Sequence, residues 1–302
     1  MHKPVLLEGV VAKLVRQKDG VYVDATFGCG GHSKEILRQL DAGTLLIIDK
    51  DNEAIVRAEE LDDPRLIIRY GSFARIKEWV VELGYAGKIA GIVLDLGVSS
   101  AQLDNAQRGF SFLRNGPLDM RMDCSQGLDA ARWLQCASEY EIVRVLKEYG
   151  EERYSKRIAR AIVQARKVVP IVTTERLVEL IKSAQPQWDE HKHPATRVFQ
   201  AIRIVVNDEL RELQVCLEQC LDILARGGRL GVISFHSLED RVVKQFMQKH
   251  IRGQVPEKLP LRDTQVPRRL MRVGKAIRPS ADEINNNPRS RSAVLRVMEK
   301  LK

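Results

Sequence analysis

The run DATFGCGGH at 24–32 closes an apolar stretch with Asp24 and follows it at once with Gly28, Gly30 and Gly31. Glycine lets a backbone turn sharply and lie against a ligand, and a glycine turn after a strand is where open α/β sheets hold nucleotides. Roughly twenty residues further on, Asp49 ends a second apolar run, placed to accept hydrogen bonds from two ribose hydroxyls. Asp95 ends a third. An aspartate closing a buried strand costs desolvation energy unless a partner or a ligand meets it.

This spacing indicates a nucleoside-containing cofactor. A phosphate-cradling loop needs Gly-Lys-Ser/Thr, and residues 31–34 read GHSK. A dinucleotide fingerprint needs a glycine where Ser33 stands, which argues against a nicotinamide-dependent oxidoreductase. S-adenosylmethionine carries no phosphate, so its site needs close backbone approach rather than a phosphate cradle, and Asp24 is placed to meet its ammonium group. Phe73, after the GS pair at 71–72, either packs against the adenine or fills the core.

The elements that must position these residues alternate. Short β-rich runs at 21–27, 45–49, 66–70 and 89–96 are separated by helix-patterned stretches at 32–40, 52–60 and 74–83, after an amphipathic helix within 4–16. Alternation with continuous apolar strands implies an α/β fold with a parallel sheet covered on both faces. Residues 97–128 read as loop. From 130 to 206 the pattern is helical only. A long helix at 207–225 then ends on a Gly227-Gly228 C-cap signal, and a strand at 229–235, a helix at 238–250 and a last strand at 293–298 follow. The expectation is one α/β domain in two parts, 1–129 and 207–302, with an all-helical insertion at 130–206.

Composition restricts partners and setting. A net charge of +9 gives a positive field that suits a polyanion. Aromatics are only 5%, so aliphatic side chains must fill the interior. The cysteines at 29, 124, 136, 216 and 220 form no CxxC pair, which disfavours a disulfide framework or a zinc site. Cys216 and Cys220, one helical turn apart, read as core thiols. His191 and His193 lack neighbours to complete a metal set, so no metal is expected. Nothing approaches the roughly 18 apolar residues of a membrane span, and the N-terminus is too interrupted for a signal peptide, so a cytoplasmic protein is expected.

In order along the chain stand PVLL at 4–7, DATFGCGGH at 24–32, LDLGVSS at 94–100, RGFSF at 108–112, GPLDMRMD at 116–123, GEER at 150–153, HPATR at 193–197, ISFHSLED at 233–240 and NPRSRSA at 287–293. Together they resemble the bacterial small-subunit rRNA (cytosine-N4) methyltransferases, the methyltransferase H family. The resemblance implies a Rossmann-like S-adenosylmethionine-dependent methyltransferase fold with a helical substrate-recognition domain. It implies that Gly30, Gly31, His32, Asp49, Phe73, Asp95 and Gln102 contact S-adenosylmethionine. It also implies methylation of the N4 amine of a cytidine in the decoding region of 16S rRNA, on an assembled small ribosomal subunit, and no particular oligomeric state. A ribosome assembly factor that binds RNA without turnover is the non-catalytic alternative, and DNA is the weaker alternative substrate.

The cytosine amine is a poor nucleophile because its lone pair is delocalised into the ring. A site helps by accepting hydrogen bonds from that amine and by holding nitrogen, methyl and sulfur in line. The Asp/Asn-Pro-Pro-aromatic run common to amino-methyltransferases is replaced here by DLGV at 95–98, so the acceptor must come from elsewhere. Asp119, Asp123 and His236 are candidates; Asp119 and Asp123 could instead pair with arginines, and His236 could simply start a helix. For RNA, two basic segments qualify: Arg153, Arg157, Arg160 and Lys167 on one helix face, and Arg262, Arg268, Arg269, Arg272, Lys275 and Arg278 in the stretch 252–280.

Overall fold

In a computed structural model the described residues are 4–187, 193–253 and 268–301. His191 and Arg262 therefore lie outside the described residues. The chain divides into two compact units, one of residues 1–97 with 210–302 and one of residues 98–209.

The first unit is built on a seven-stranded sheet. In chain order it contains α1 (Leu7–Leu14), β1 (Val21–Asp24), α2 (Gly31–Gln39), β2 (Thr44–Asp49), α3 (Asn52–Glu59), β3 (Leu66–Tyr70), α4 (Ile76–Glu82) and β4 (Ile89–Asp95). After the second unit come α11 (Glu209–Ile223), β5 (Leu224–Ser234), α12 (Ser237–Arg252), β6 (Leu270–Arg272), α13 (Ala281–Asn286) and β7 (Val294–Lys300). The strand order is β3-β2-β1-β4-β5-β7-β6. The first five strands are parallel, and β7 runs antiparallel to both β5 and β6.

Strand β2 shows why this sequence makes a covered sheet. Leu46 and Ile48 pack on one face with Trp79 of α4, Leu213 and Leu217 of α11 and Val243 and Phe246 of α12. Leu45 and Ile47 pack on the other with Val10, Leu14, Ile36 and Ala54 of α1, α2 and α3. Successive strand residues point to opposite faces, so a run apolar at every position requires helices on both sides. Cys216 and Cys220 are buried in the first of these layers, as expected of core thiols.

Two sequence expectations fail here for physical reasons. Helix α11 stops at Ile223 because Leu224 already pairs with Ile89 of β4. The Gly227-Gly228 pair is thus no helix cap. It lies in a bulge between that pairing and the pairing of Arg229 with Gly91. Gly227 has φ +75°, and a Cβ on Gly228 would lie 2.6 Å from the Ile89 carbonyl oxygen, so the close strand approach requires glycine. The second difference concerns residues 98–129, assigned from sequence to the α/β domain and read as loop as far as residue 128. They belong to the second unit and include a short helix, α5 (Ser100–Asp104), started by a reciprocal capping box between Ser99 and Gln102.

The second unit continues with α6 (Ala130–Cys136), α7 (Glu139–Glu148), α8 (Ser155–Arg166), α9 (Thr174–Ala184) and α10 (Thr196–Asn207). Their apolar residues recur at helical spacing, as Ile142, Val145 and Leu146 do in α7 and Ile158, Ala159 and Ile162 in α8, and they share one core. The loop joins it through Phe110, Leu118, Met120 and Met122. Buried Asn207 holds the loop, accepting from Met122 N at 2.7 Å and donating to the carbonyls of Met120 and Arg203 at 2.7 and 2.9 Å.

Candidate active site

Asp24, Asp49 and Asp95 all reach the carboxyl edge of the parallel sheet of the first unit. Asp24 is level with Ile47 on one neighbouring strand and with Val93 on the other. Asp49 and Asp95 each stand two residues beyond that level, so they flank Asp24 on the same pleat face. That face carries α2, and Ser33 of α2 donates to Asp24 at 2.6 Å.

The glycine turn is fastened to this edge. Gly28 N donates to Asp49 Oδ2 at 2.8 Å, and Asp51 N donates to Asp49 Oδ1 at 2.9 Å. Gly28 and Gly30 have φ of +54° and +76°, a region costly for residues with a Cβ. Gly30 and Gly31 are also required for packing within the protein. A Cβ at Gly30 would lie 2.5 Å from the Phe27 ring, and one at Gly31 would lie 2.1 Å from Pro4 Cγ. Part of the glycine signal is therefore the N-terminal segment lying across the start of α2.

His32 is buried beneath that segment. Its Nε2 lies 3.0 Å from the Val5 carbonyl oxygen, and its Nδ1 lies 3.5 Å from Asp95 Oδ2. A carbonyl can only accept, so Nε2 donates the bond to Val5. Asp95 Oδ1 is buried with no hydrogen-bond partner among the described residues. Burial pushes the carboxyls of Asp24, Asp49 and Asp95 each up to about 6. For Asp95 the nearby His32 works against that rise, whereas Asp24 and Glu239 add to it. Three carboxyls strained by burial at one edge, with one oxygen unpartnered, form a site suited to a cationic, hydroxyl-bearing ligand.

Phe73 follows β3 and is half-buried, packed against the core below the sheet. Gln102 lies in the second unit, where its side-chain oxygen accepts from Ser99 N at 2.9 Å. Six of the seven sequence-derived cofactor residues thus share one edge of one unit.

The candidate acceptors separate as well. Asp119, in the second unit, has both carboxylate oxygens on the Arg121 guanidinium at 2.8 Å each. Burial raises its carboxyl, but the bonds from Arg121 outweigh that and hold it below the ordinary range. Asp123 accepts from its own turn, from Ser125 and Gln126. His236, just past β5 in the first unit, caps α12 in a reciprocal box with Glu239: its Nδ1 accepts from Glu239 N at 3.4 Å and its Nε2 lies 3.1 Å from Glu239 Oε1. Ser234 Oγ, at the end of the same strand, is buried with no hydrogen bond among the described residues. Its burial could not be read from sequence.

Of the RNA candidates, Arg153, Arg157 and Arg160 are exposed on or just before α8 of the second unit. Arg268, Arg269 and Arg272 are placed by the pairing of β6. Leu270 pairs with Lys300 and Arg272 with Met298, and Glu299 is level with Arg229, the first residue of β5 that pairs with β7. Arg268 and Arg269 therefore sit at the amino edge of the sheet, opposite the three aspartates, and Arg269 reaches Asp222 at 3.4 Å. No helix among the described residues is long and apolar enough to cross a membrane.

A family model described as the MraW methylase family matches residues 1–301. A curated protein of Legionella pneumophila (strain Paris), ribosomal RNA small subunit methyltransferase H, is 54% identical over 99% of both chains. A protein of the same name from Chromohalobacter salexigens is 54% identical over 99% of this chain and 92% of its own. Among solved structures, an rRNA methylase from Streptococcus thermophilus is similar over 100% of this chain and 99% of that one, at 12% identity and a TM-score of 0.45.

Proposed function

The chain belongs to the MraW methylase family, and from that membership and its acidic sheet edge we propose that it uses S-adenosylmethionine to methylate the N4 amine of a cytidine in the decoding region of 16S rRNA. The observation that carries the cofactor reading is the buried, unpartnered Asp95 Oδ1 beside a glycine turn locked to Asp49. An orphaned buried carboxylate oxygen is costly and is best accounted for by a ligand that donates to it.

The residues present fit that ligand. Asp49 keeps lone pairs for a ribose diol beyond those used by Gly28 and Asp51. Asp24 and Asp95 offer negative charge to cationic centres, and the exposed part of Phe73 offers an apolar surface to an adenine. Gly30, Gly31 and His32 form the turn beneath them, and Gln102 is carried over on the family motif alone. When bound, S-adenosylmethionine supplies an electrophilic methyl group on sulfur. The protein must then orient the amine and take up the proton it releases. Both oxygens of Asp119 are held by Arg121, and both ring nitrogens of His236 face Glu239, so either group would have to give up a bond to accept from the amine. The exposed arginines of α8 would hold the RNA backbone.

Incubation with S-adenosylmethionine labelled in the methyl group, using purified small ribosomal subunits, naked rRNA and DNA in parallel, tests the substrate class. Label in the subunits is expected. Saturable cofactor binding with no transfer to any of the three would leave the assembly-factor reading in its place.

A further inference from the structure

Strand β7 returns antiparallel to β5, so its first residue, Val294, is level with Ser234 at the carboxyl end. The chain beyond β6 runs back alongside β7 towards that end. Ile277 bridges Leu295 through two backbone hydrogen bonds of 2.9 Å. Leu295 is level with Ile233, and Ile233 with Asp95. Asp95, Ile233, Leu295 and Ile277 thus form one row across the sheet, three strand steps or roughly 15 Å long.

Residues 278–293 leave the sheet at this row and return to it, carrying exposed Arg278, Arg289 and Arg291. The excursion has internal anchors. Ser280 accepts from Glu283 N at 3.1 Å to start α13, Ser290 Oγ donates to the Asn287 carbonyl at 2.7 Å, and Glu283 Oε1 accepts from Leu6 N at 2.7 Å. Its acids, Asp282 and Glu283, stand in the first turn of α13, where the helix dipole favours them. Among the described residues neither Arg278 nor Arg291 pairs with a carboxylate.

We propose that Arg278 and Arg291 bind phosphates of the RNA strand flanking the nucleotide to be methylated. The proposal rests on the reading of the chain as an RNA methyltransferase. A base that leaves its stack costs a few kcal/mol, and backbone contacts close to that base offset the cost. Guanidinium groups suit this because their fork matches a phosphate in two hydrogen bonds. Arg278 and Arg291 stand on the edge that carries Asp95; Arg268 and Arg269 stand on the opposite one and serve as the control.

The test is the salt dependence of binding of a fluorescent single-stranded RNA oligonucleotide carrying the decoding-region sequence, with calorimetric affinity for S-adenosylmethionine measured in parallel. Each phosphate contact to a single strand adds about 0.7 to the slope of log K against log salt. The double variant R278Q/R291Q is expected to lower that slope by about 1.4 and to leave cofactor affinity unchanged. R278K/R291K should keep the slope, and R268Q/R269Q should leave it as in the wild type. An unchanged slope in R278Q/R291Q, or an equal loss in R268Q/R269Q, overturns the proposal. If the slope changes as expected but the wild type transfers no methyl group to any RNA, the surface stands and the methyltransferase reading falls.

Discussion

Asp95→Asn should separate function from stability at one atom. In the wild type, burial raises the Asp95 carboxyl from 3.8 to about 6, which corresponds to roughly 3 kcal/mol of disfavoured charge at neutral pH. That figure is an upper bound, since Asp24 and Glu239 share in the rise. The folded state holds this proton more tightly than the unfolded chain does. The cost is therefore absent below the unfolded value near 3.8, grows as pH rises towards about 6, and is fully present above it. Asparagine has the same shape without the charge, so the unliganded variant should be more stable than the wild type at pH 7 and indistinguishable near pH 4. Its affinity for S-adenosylmethionine should fall by about 10- to 150-fold, the loss of a hydrogen bond to a charged group worth about 1.5–3 kcal/mol. Wild-type affinity should itself decline as pH drops through about 6, where Asp24, Asp49 and Asp95 take up protons. Urea unfolding at two pH values and calorimetric titration measure both effects. A variant that is less stable when unliganded, yet binds the cofactor as the wild type does, would show Asp95 to be a structural group and refute the reasoning.

Other outcomes follow from packing. Gly31→Ala places a Cβ 2.1 Å from Pro4 Cγ, so the N-terminal segment must move; about 1–3 kcal/mol of stability should be lost, with weaker cofactor binding through the displaced His32, and equal thermal midpoints would contradict this. Asp119→Ala leaves the Arg121 guanidinium without its bidentate partner and should cost about 1–3 kcal/mol in denaturant midpoint; a loss of turnover with no loss of stability would instead restore Asp119 as the acceptor. Asn207→Ala strands the Met122 backbone donor and the Met120 carbonyl, and at about 1–3 kcal/mol for a buried polar group left unpaired it should be worse tolerated than any exposed substitution on α8, as read by thermal melting of both.

The strands and the aspartates that end them were legible because both signals are local. An apolar run such as TLLIID needs helices on both faces wherever it sits, and an acid at its end is visible as a break in the run. The order of β7 and β6 was not legible, since nothing near Arg268 or Arg269 in sequence records that their strand pairs with the far end of β7. Gly227 and Gly228 misled for a related reason. A glycine pair after a helix reads as a cap, but here the constraint comes from Ile89, more than a hundred residues earlier. The glycines at 30 and 31 were read as approach to a ligand, and the structure adds Phe27 and Pro4 as neighbours that also forbid a side chain. Gln102 was placed by family resemblance, and its local role as half of a capping box is written in the Ser99-to-Gln102 spacing.

The central claim is the position of the methyl group. Small ribosomal subunits incubated with the protein and S-adenosylmethionine bearing a deuterated methyl group can be digested to nucleosides and resolved by mass spectrometry. Deuterium in N4-methylcytidine, and its absence when Asp95→Asn is used at low cofactor concentration, is the predicted result. Deuterium in a base methylated on carbon, in a 2′-O-methyl ribose or in no nucleoside at all would contradict it.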